Sequence, residues 1–353
     1  MPDRIVSDIK MLPIHCTLVA GAGFSKNFGY PLAVELWTRV HHYILAHALE
    51  IGSSRTILDD VSDGVGTLDA LLTQIDTLID IHPESHTFTL TRKLLHNAIS
   101  ACIADPIEPY AIFNSPSITR VVANLLADVR TIITFNWDLV VESILQMHGQ
   151  AFGIGPGRPG EDWPVVAKLH GSHNWFRLTP ELERDIRSIG FDPRKVFVPV
   201  IGDIHYMLQF WNLSMDADTW KPLLEKTLES QLPVMVIPSH LKRVEDSATG
   251  PFWTVAMELL RRSHVVIVVG YSLPDDDLHA ASLFEWSIGR RSKKTPERRV
   301  IVIDPDPTGR VETRWRAVIG NGSSMKIVKS TLNDIAAEDP KLTCEALAQK
   351  AED

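Results

Sequence analysis

The sequence predicts an α/β fold in which a doubly wound parallel sheet is combined with a helical insertion. Two observations predict it: short apolar, β-branched runs recur along the 353-residue chain, and stretches with helical periodicity lie between them. Strands that alternate with helices form parallel sheets covered on both faces. With 44% hydrophobic and 22% charged residues, the chain has the composition of a globular protein with a full core.

Short apolar runs mark the predicted strands, because a strand buried inside a parallel sheet is apolar throughout. The predicted strands span residues 16–20, 130–134, 165–169, 196–200, 233–237, 264–269 and 299–303. The first of them ends in glycine and is followed by a predicted helix over 31–50. Strand, glycine turn and helix together form the first half of a βαβ unit.

Helical spacing of apolar residues dominates the next part of the chain. We expect residues 1–353 to form a single domain with a helical insertion at about 51–128 and a C-terminal surface helix at about 331–352. Ser117 is the predicted N-cap of the last helix in the insertion. Further helices are predicted at about 219–230, 252–262 and 275–289.

Charge and cysteine content exclude several classes of protein. A net charge of −9 argues against a surface that neutralises nucleic-acid phosphates. The three cysteines, Cys16, Cys102 and Cys344, are widely spaced, which predicts reduced thiols and neither a four-thiolate zinc site nor any other metal site. Without a signal-peptide pattern or an apolar stretch of membrane-spanning length, we expect a cytoplasmic protein with no membrane partner.

The first predicted strand runs into the segment Gly21-Ala22-Gly23-Phe24-Ser25. Glycines let the backbone turn tightly and approach a ligand without a side-chain clash, and amides at a helix N-terminus favour negative charge. The segment is therefore a candidate cradle for a pyrophosphate, as in Rossmann-like sheets. A tight strand-to-helix turn without a ligand is the alternative.

Polar side chains also follow the next two predicted strands. Asn136 and Asp138 come after the strand at 130–134 and are candidates to contact a ligand, with capping of the following helix as a compatible alternative. His170, followed by Gly171, ends the strand at 165–169 and is a candidate general base. A structural histidine is the alternative in a chain that has 14, and His173 is a weaker candidate.

Two further turns follow late strands. Gly270-Tyr271-Ser272 precede a proline and three aspartates, a pattern that suits a helix start because carboxylates favour the positive end of the helix dipole. We interpret this segment as a second phosphate- or ribose-binding turn. Asp304 ends the strand at 299–303 and is a candidate acceptor for ribose hydroxyls, with a plain Asp-Pro turn as the alternative.

All five turns come directly after predicted strands, so we expect them to meet along one edge of one sheet. Chance capping does not readily assemble a glycine cradle, an Asn/Asp pair, a histidine, a second glycine turn and an acidic turn in one crevice. Their joint placement predicts a dinucleotide site at the carboxyl ends of the strands.

In this order the motifs resemble those of the sirtuin family, over roughly residues 14–310. The resemblance implies that NAD is the substrate, that Asn136 acts on the nicotinamide ribose and that His170 is the general base. The glycine turn would hold the NAD phosphates and cover that ribose, and the late turns would hold the adenosine half. The NAD-binding set implied is Gly21, Ala22, Gly23, Phe24, Ser25, Asp138, Gly270, Tyr271, Ser272 and Asp304.

Three departures separate this chain from sirtuins that remove acyl groups. The zinc-binding cysteines are missing, the family's Gly-Ile-Pro-x-Phe-Arg segment has become Gly29-Tyr30-Pro31-Leu32-Ala33, and the peptide-binding strand is replaced by residues 236–242. With KLHGSHNW at 168–175 and GYSLP at 270–274, the chain resembles the zinc-free, sirtuin-like proteins of bacterial antiphage defence.

That second resemblance implies an NAD glycohydrolase, which releases nicotinamide and ADP-ribose and depletes the NAD of an infected cell. It further implies a homo-oligomer and a separate sensor or activator, such as a DNA-translocating ATPase. Two alternatives stay open: a zinc-free NAD-dependent protein deacylase or ADP-ribosyltransferase, and a non-catalytic module that senses NAD or ADP-ribose. The activating trigger and the role of the helical insertion are not encoded in any motif.

Overall fold

A computed structural model of the chain describes most of its regular elements. The described residues are 15–46, 67–104, 116–150, 152–154, 164–173, 175–177, 180, 184, 187–188, 204–206, 233–237, 249–290, 298–320, 323–339, 341–344 and 346–347. The strand predicted at 196–200 and the helix predicted at 219–230 lie outside these ranges.

Seven parallel strands form one sheet, in the order β3-β4-β2-β1-β7-β8-β9. Its strands are β1 (Cys16–Ala20), β2 (Thr131–Thr134), β3 (Gly153–Ile154), β4 (Val165–Lys168), β7 (Val265–Val269), β8 (Arg299–Ile303) and β9 (Ser324–Val328). A separate antiparallel pair consists of β5 (Trp175–Arg177) and β6 (Ile204–Tyr206). Apart from the short edge strand β3, the order is that of a Rossmann-like doubly wound sheet, whose two halves diverge from β1. The predicted α/β class is confirmed.

The strand predicted at 233–237 is wrong. This segment makes one isolated bridge, between Met235 and Gly171, and it does not join the sheet. Its apolar side chains pack elsewhere: Met235 and Ile237 are buried in a cluster of helices. A short apolar run indicates burial but does not show what covers it.

Helices cover the sheet on both faces and also form a separate group. In chain order they are α1 (Ala22–Lys26), α2 (Ala33–Ala46), α3 (Leu68–Ile81), α4 (His86–Ala104), α5 (Pro116–Asp128), α6 (Val140–Met147), α7 (Gly250–Arg262), α8 (Leu278–Phe284), α9 (Arg310–Ile319) and α10 (Leu332–Glu338), with a π-helical turn at Glu285–Gly289. Because parallel connections are right-handed, α5 and α6 lie on one face and α7, α8 and α9 on the other. The contacts agree, since α5 packs on α6 while α7 packs on α8.

Two apolar clusters divide the helices differently from the prediction. Helices α2, α3 and α4 pack together around Leu36, Val40, Leu72 and Ile99, and we call these three helices the helical unit. Helix α5 belongs to the main core against the sheet. The predicted crossover helix α2 is thus part of the helical unit, and α5, placed in the insertion by the prediction, is the helix that covers the sheet between β1 and β2.

Helix boundaries differ from the prediction at three places. Ser117 lies inside α5 and is not its N-cap. Helix α8 starts after Asp277, whose side chain caps it, and not at residue 275. The C-terminal helix starts after Thr331 with a capping box but ends at Glu338, and its buried Leu332 and Ile335 join the main core, so this element is shorter and less superficial than predicted. No helix within the described ranges is both long and apolar enough to cross a membrane.

Candidate functional site

The glycine turns after β1 and β7 pack against each other, backbone to backbone. The amide of Gly23 donates to the carbonyl of Gly270 at 2.9 Å. A Cβ on Gly23 would lie 2.7 Å from the Cα of Gly270, and a Cβ on Gly270 would lie 2.3 Å from the carbonyl carbon of Gly23. Both glycines are therefore required by this close approach, at the point where the two halves of the sheet diverge.

Asn136, after β2, is hydrogen-bonded to the turn after β1. Its Nδ2 donates to the carbonyl of Gly21 at 2.8 Å and to the Ser25 hydroxyl at 2.9 Å. The Ser25 hydroxyl in turn bonds to the Asp138 carboxylate, which also accepts the Val140 amide at 3.0 Å. The N-cap of the helix at Val140–Met147 is Leu139, without a side-chain cap bond, so the capping role considered for Asp138 is wrong. One chain of hydrogen bonds nevertheless fixes the ends of β1 and β2 relative to each other.

A buried ion pair contacts this chain of hydrogen bonds at Asp138. The Lys168 ammonium lies 2.9 Å from the Glu142 carboxylate and donates to the Asp138 carbonyl, and both side chains are almost completely buried. Burial is the main cause that raises the pKa of Asp138, while Lys168 and the hydrogen bond from Ser25 oppose that rise.

His170, after β4, is held through its backbone. Its carbonyl accepts the Val236 amide at 2.7 Å and the Trp137 indole N–H at 3.1 Å. The residue is 8% exposed, and its ring makes an edge-to-face contact with the Phe135 ring, with 5.2 Å between centroids. The neighbouring Gly171 has φ +76°, a conformation that glycine adopts without strain.

The ends of these strands face a cleft of about 380 Å³ that separates the sheet from the helical unit. We call it the edge cleft. The sheet side is lined by Ala22, Ser25, Asn136, Asp138, His170 and Tyr271, and the helical unit contributes Leu36, Trp37, Leu68 and Ile103. Its volume falls in the range of small-molecule sites, roughly 300–1,000 Å³.

Most of the predicted site residues meet at the edge cleft, and a few do not. Gly270 and Ser272 also line it. Phe24 is completely buried in the main core, because α1 begins directly after Gly21 and turns this ring inward onto Phe28. Asp304 is not among the lining residues, and its carboxylate accepts the amide of Asp306 at 2.9 Å.

The glycine turn offers fewer amides than the prediction assumed. The amides of Gly21, Gly23 and Phe24 donate to the carbonyls of Val269, Gly270 and Gly21, respectively. Ala22 and Ser25 are the members of this segment that line the edge cleft. Contact between a ligand and the turn therefore falls on these two residues in this conformation.

The edge cleft is lined by acidic side chains. Its described lining includes Asp69, Asp138, Asp276 and Asp277 and neither lysine nor arginine. Carboxylates in a partly desolvated site favour positive charge. No group of three or more His, Cys, Asp or Glu side chains within the described residues could hold a metal ion.

Sequence reasoning missed the wall contributed by the helical unit and the residues that support the strand ends. Leu68 carries no motif and was marked only by helical periodicity, and Trp37 was marked by no signal. Lys168 stood in the KLHGSHNW segment without a role, and Asp277 was one of three successive aspartates with no feature to separate them. A lysine at a buried strand end was the one usable signal, because a buried lysine needs a partner.

Comparison with known proteins gives limited information. No protein-family profile matches the chain, and no curated protein sequence matches it. Among solved structures it is similar to a Sir2 homologue mutant in complex with 2′-O-acetyl ADP-ribose (14% identity, TM-score 0.43, covering 96% of this chain and 93% of that one). It is also similar to a Sir2 homologue in complex with NAD (14%, TM-score 0.38, covering 96% and 90%). A third is Sir2Tm bound to a propionylated peptide (11%, TM-score 0.34, covering 92% and 91%). Similarity this low says nothing about the reaction of this chain.

Proposed function

We propose that the protein is an NAD glycohydrolase, which cleaves the bond between nicotinamide and ribose in the edge cleft. One observation carries the proposal: the amide side chain of Asn136 and the ring of His170, which follow different strands, line one cleft at the point where the sheet halves diverge. Ligands of open α/β sheets bind at this point.

The charge of the cleft suits this reaction. Nicotinamide in NAD is a cationic leaving group, and its departure leaves positive charge on the ribose. The carboxylates of Asp138, Asp276 and Asp277 stabilise such a charge better than water does, because they are already oriented before the reaction. The diphosphate is negative, and we assign it to the part of the cleft lined by Ala22, as the motif resemblance implies.

Asn136 and His170 take the two remaining tasks. Asn136 is held by its bonds to Gly21 and Ser25, and its side-chain oxygen orients a water or a ribose hydroxyl. His170 accepts the proton that the water or the ribose hydroxyl loses. The sum is NAD plus water giving nicotinamide, ADP-ribose and a proton.

The biological setting rests on the motif resemblance alone. We infer that the protein serves antiphage defence as an effector that depletes NAD. In this setting it acts as a homo-oligomer that is activated by a partner that senses infection, such as a DNA-translocating ATPase. Oligomeric state and partner are therefore measured together with activity.

The test follows nicotinamide release from NAD by chromatography, with and without a candidate sensor ATPase. We expect release by the wild type and none by Asn136→Ala or His170→Ala, with circular dichroism unchanged. Asn333→Ala and His148→Ala, both exposed, are the matched controls. Full activity of either site variant would remove the assignment of that residue.

The same assay separates the alternative functions. Release that requires an acylated peptide or an acceptor would identify a deacylase or an ADP-ribosyltransferase. Binding of NAD without any release under all of these conditions would identify a sensing module.

A further inference from the structure

A carboxylate faces the His170 ring from the turn after β7. The Nε2 atom of His170 lies 3.6 Å from Oδ2 of Asp277, and Asp277 is 2% exposed. This separation is longer than a hydrogen bond but short enough for strong attraction once the ring is protonated. Catalytic hydrogen bonds are commonly longer before substrate binds.

Two contacts hold the Asp277 carboxylate in place. Its Oδ1 accepts the Ala280 amide at 3.4 Å as the N-cap of α8. Its Oδ2, the oxygen that faces His170, accepts the Tyr271 hydroxyl at 2.8 Å. The carboxylate therefore keeps one orientation toward the ring.

Tyr271 is itself fixed by its surroundings. Its ring stacks on Phe135 with centroids 4.1 Å apart, and its carbonyl accepts the Trp315 indole N–H at 3.0 Å. Burial, followed by the nearby Asp277 carboxylate, raises the pKa of Tyr271, so the hydroxyl stays protonated and keeps donating.

We propose that Asp277 is a positioning residue that orients His170 and stabilises its protonated form, with the Tyr271 hydroxyl holding the carboxylate. This proposal rests on the proposed function and deepens it. During hydrolysis the glycosidic electron pair leaves with nicotinamide, water oxygen bonds to the ribose carbon, and its proton passes to His170. Asp277 stays ionised throughout, and the imidazolium then releases its proton to solvent.

The following charged and titratable groups lie near the His170 ring in the part of the chain that the structure describes. Besides Asp277 and Tyr271, the carboxylates of Asp138 and Asp276 line the same cleft. Lys168, two residues before His170, is bound to Glu142. On the side of α7 the ring meets Trp253, with His279 beyond it.

The variant Asp277→Asn tests the proposal without removing the helix cap, because asparagine caps helices as well as aspartate does. We expect nicotinamide release to fall by at least about tenfold, within the roughly 10²–10⁴-fold that a general base contributes. Loss of the negative charge lowers the pKa of His170, so the acidic limb of the kcat/KM profile should move to lower pH. A loss of structure alone would reduce the rate without that movement.

Two further variants complete the set. Tyr271→Phe keeps the ring stack and the cap and should reduce the rate of nicotinamide release by a smaller factor. This variant also tests the proposal if Asp277→Asn folds poorly. Asp275→Asn is the matched control, because this neighbouring carboxylate is exposed and paired with Arg314 at 2.7 Å.

A measurement that needs no turnover separates this proposal from the proposed function. The pKa of the His170 ring is followed by NMR in wild type and Asp277→Asn, with His170→Gln used to assign the signal. If the pKa of His170 is lower in Asp277→Asn than in the wild type, but the wild type itself has no NADase activity, the result would support the pair and remove the proposed function. Activity in the wild type with an unchanged pKa and an unmoved pH profile in Asp277→Asn would overturn the role of Asp277.

Discussion

Gly171 shows at the scale of one residue how the backbone beside His170 is fixed. A Cβ at this position would lie 2.0 Å from the Val234 carbonyl oxygen, and the residue has φ +76°. We expect Gly171→Ala to lower the free energy of unfolding by about 1–2 kcal/mol from the left-handed backbone alone, and by more because of the contact. Chemical denaturation measures the loss.

Gly149→Ala is the matched control for this prediction. Gly149 also has a positive φ, of +65°, but nothing lies within 4 Å of its added Cβ. The two variants therefore share the cost of the backbone conformation, and their difference isolates the contact with Val234. Equal destabilisation by both would contradict the close approach at Gly171.

The sequence predicted which residues follow the strand ends, but it did not predict the direction of each side chain. Asn136 and His170 follow buried strands, and the shared edge of parallel strands brought them to one cleft as predicted. Phe24 belongs to the same kind of segment, yet α1 turns it into the core. Asp304 ends a strand as well, but its carboxylate binds the next turn. These outcomes depend on contacts that sequence spacing does not encode.

At the scale of elements, the ion pair between β4 and α6 joins a strand end to the helix after the Asn136 turn. Breaking a buried pair leaves one charge uncompensated, which costs about 3–5 kcal/mol. We expect Lys168→Met to destabilise the protein by about that amount and the double variant Lys168→Met/Glu142→Leu to recover much of it. A double-mutant cycle measures the coupling.

An exposed pair serves as the comparison for this cycle. Arg316 and Glu312 lie 2.8 Å apart on α9 with side chains 57% and 30% exposed, and such pairs contribute roughly 0–1 kcal/mol. If the cycle at Lys168 and Glu142 gave a coupling no larger than this one, the buried pair would have no special role in holding the two elements.

A second connection between elements depends on pH. The His96 ring on α4 is hydrogen-bonded to the Pro233 carbonyl, and burial, with Arg92 as a smaller cause, lowers its pKa from 6.5 to about 4. Between these pH values the unfolded chain binds more protons than the folded one, so the free energy of unfolding falls as the pH drops from 6.5 toward 4.

The variant His96→Gln tests this pH dependence by denaturation across the same window. We expect a smaller loss of stability on acidification than in the wild type. Part of the loss should remain, because burial also lowers the pKa of His173, to about 3. His148→Gln changes an exposed histidine and is the control. An unchanged pH dependence in His96→Gln would contradict burial of the neutral ring.

Helical periodicity does not show which apolar cluster a helix joins. The apolar stripe of α2 is Leu36, Val40 and Ile44, and this spacing shows that one face is buried. It does not show whether the partner is the sheet or another helix. The strands were easier to predict, because a parallel strand buried on both faces needs apolar residues whatever its neighbours are.

For the whole molecule, two separately packed apolar clusters meet across the edge cleft. A ligand that contacts both walls joins the sheet and its core to the helical unit. We expect ADP-ribose to protect backbone amides from hydrogen exchange on both sides, around Ala22 and Ser25 and at the first turn of α3 near Leu68. At about 100 times its Kd the ligand should add about 2.7 kcal/mol to the free energy of unfolding.

Strand β9, at the far edge of the sheet, serves as the internal control, and those of its amides that exchange by local fluctuation should keep their rates. NAD with the inactive variant His170→Ala should give the same pattern, because binding and proton transfer are separate tasks. Protection confined to the sheet side would contradict the two-walled site, since the helical wall supplies Trp37 and Leu68 to the cleft. In that case the helical unit would serve another purpose, and ligand binding would leave its exchange rates unchanged.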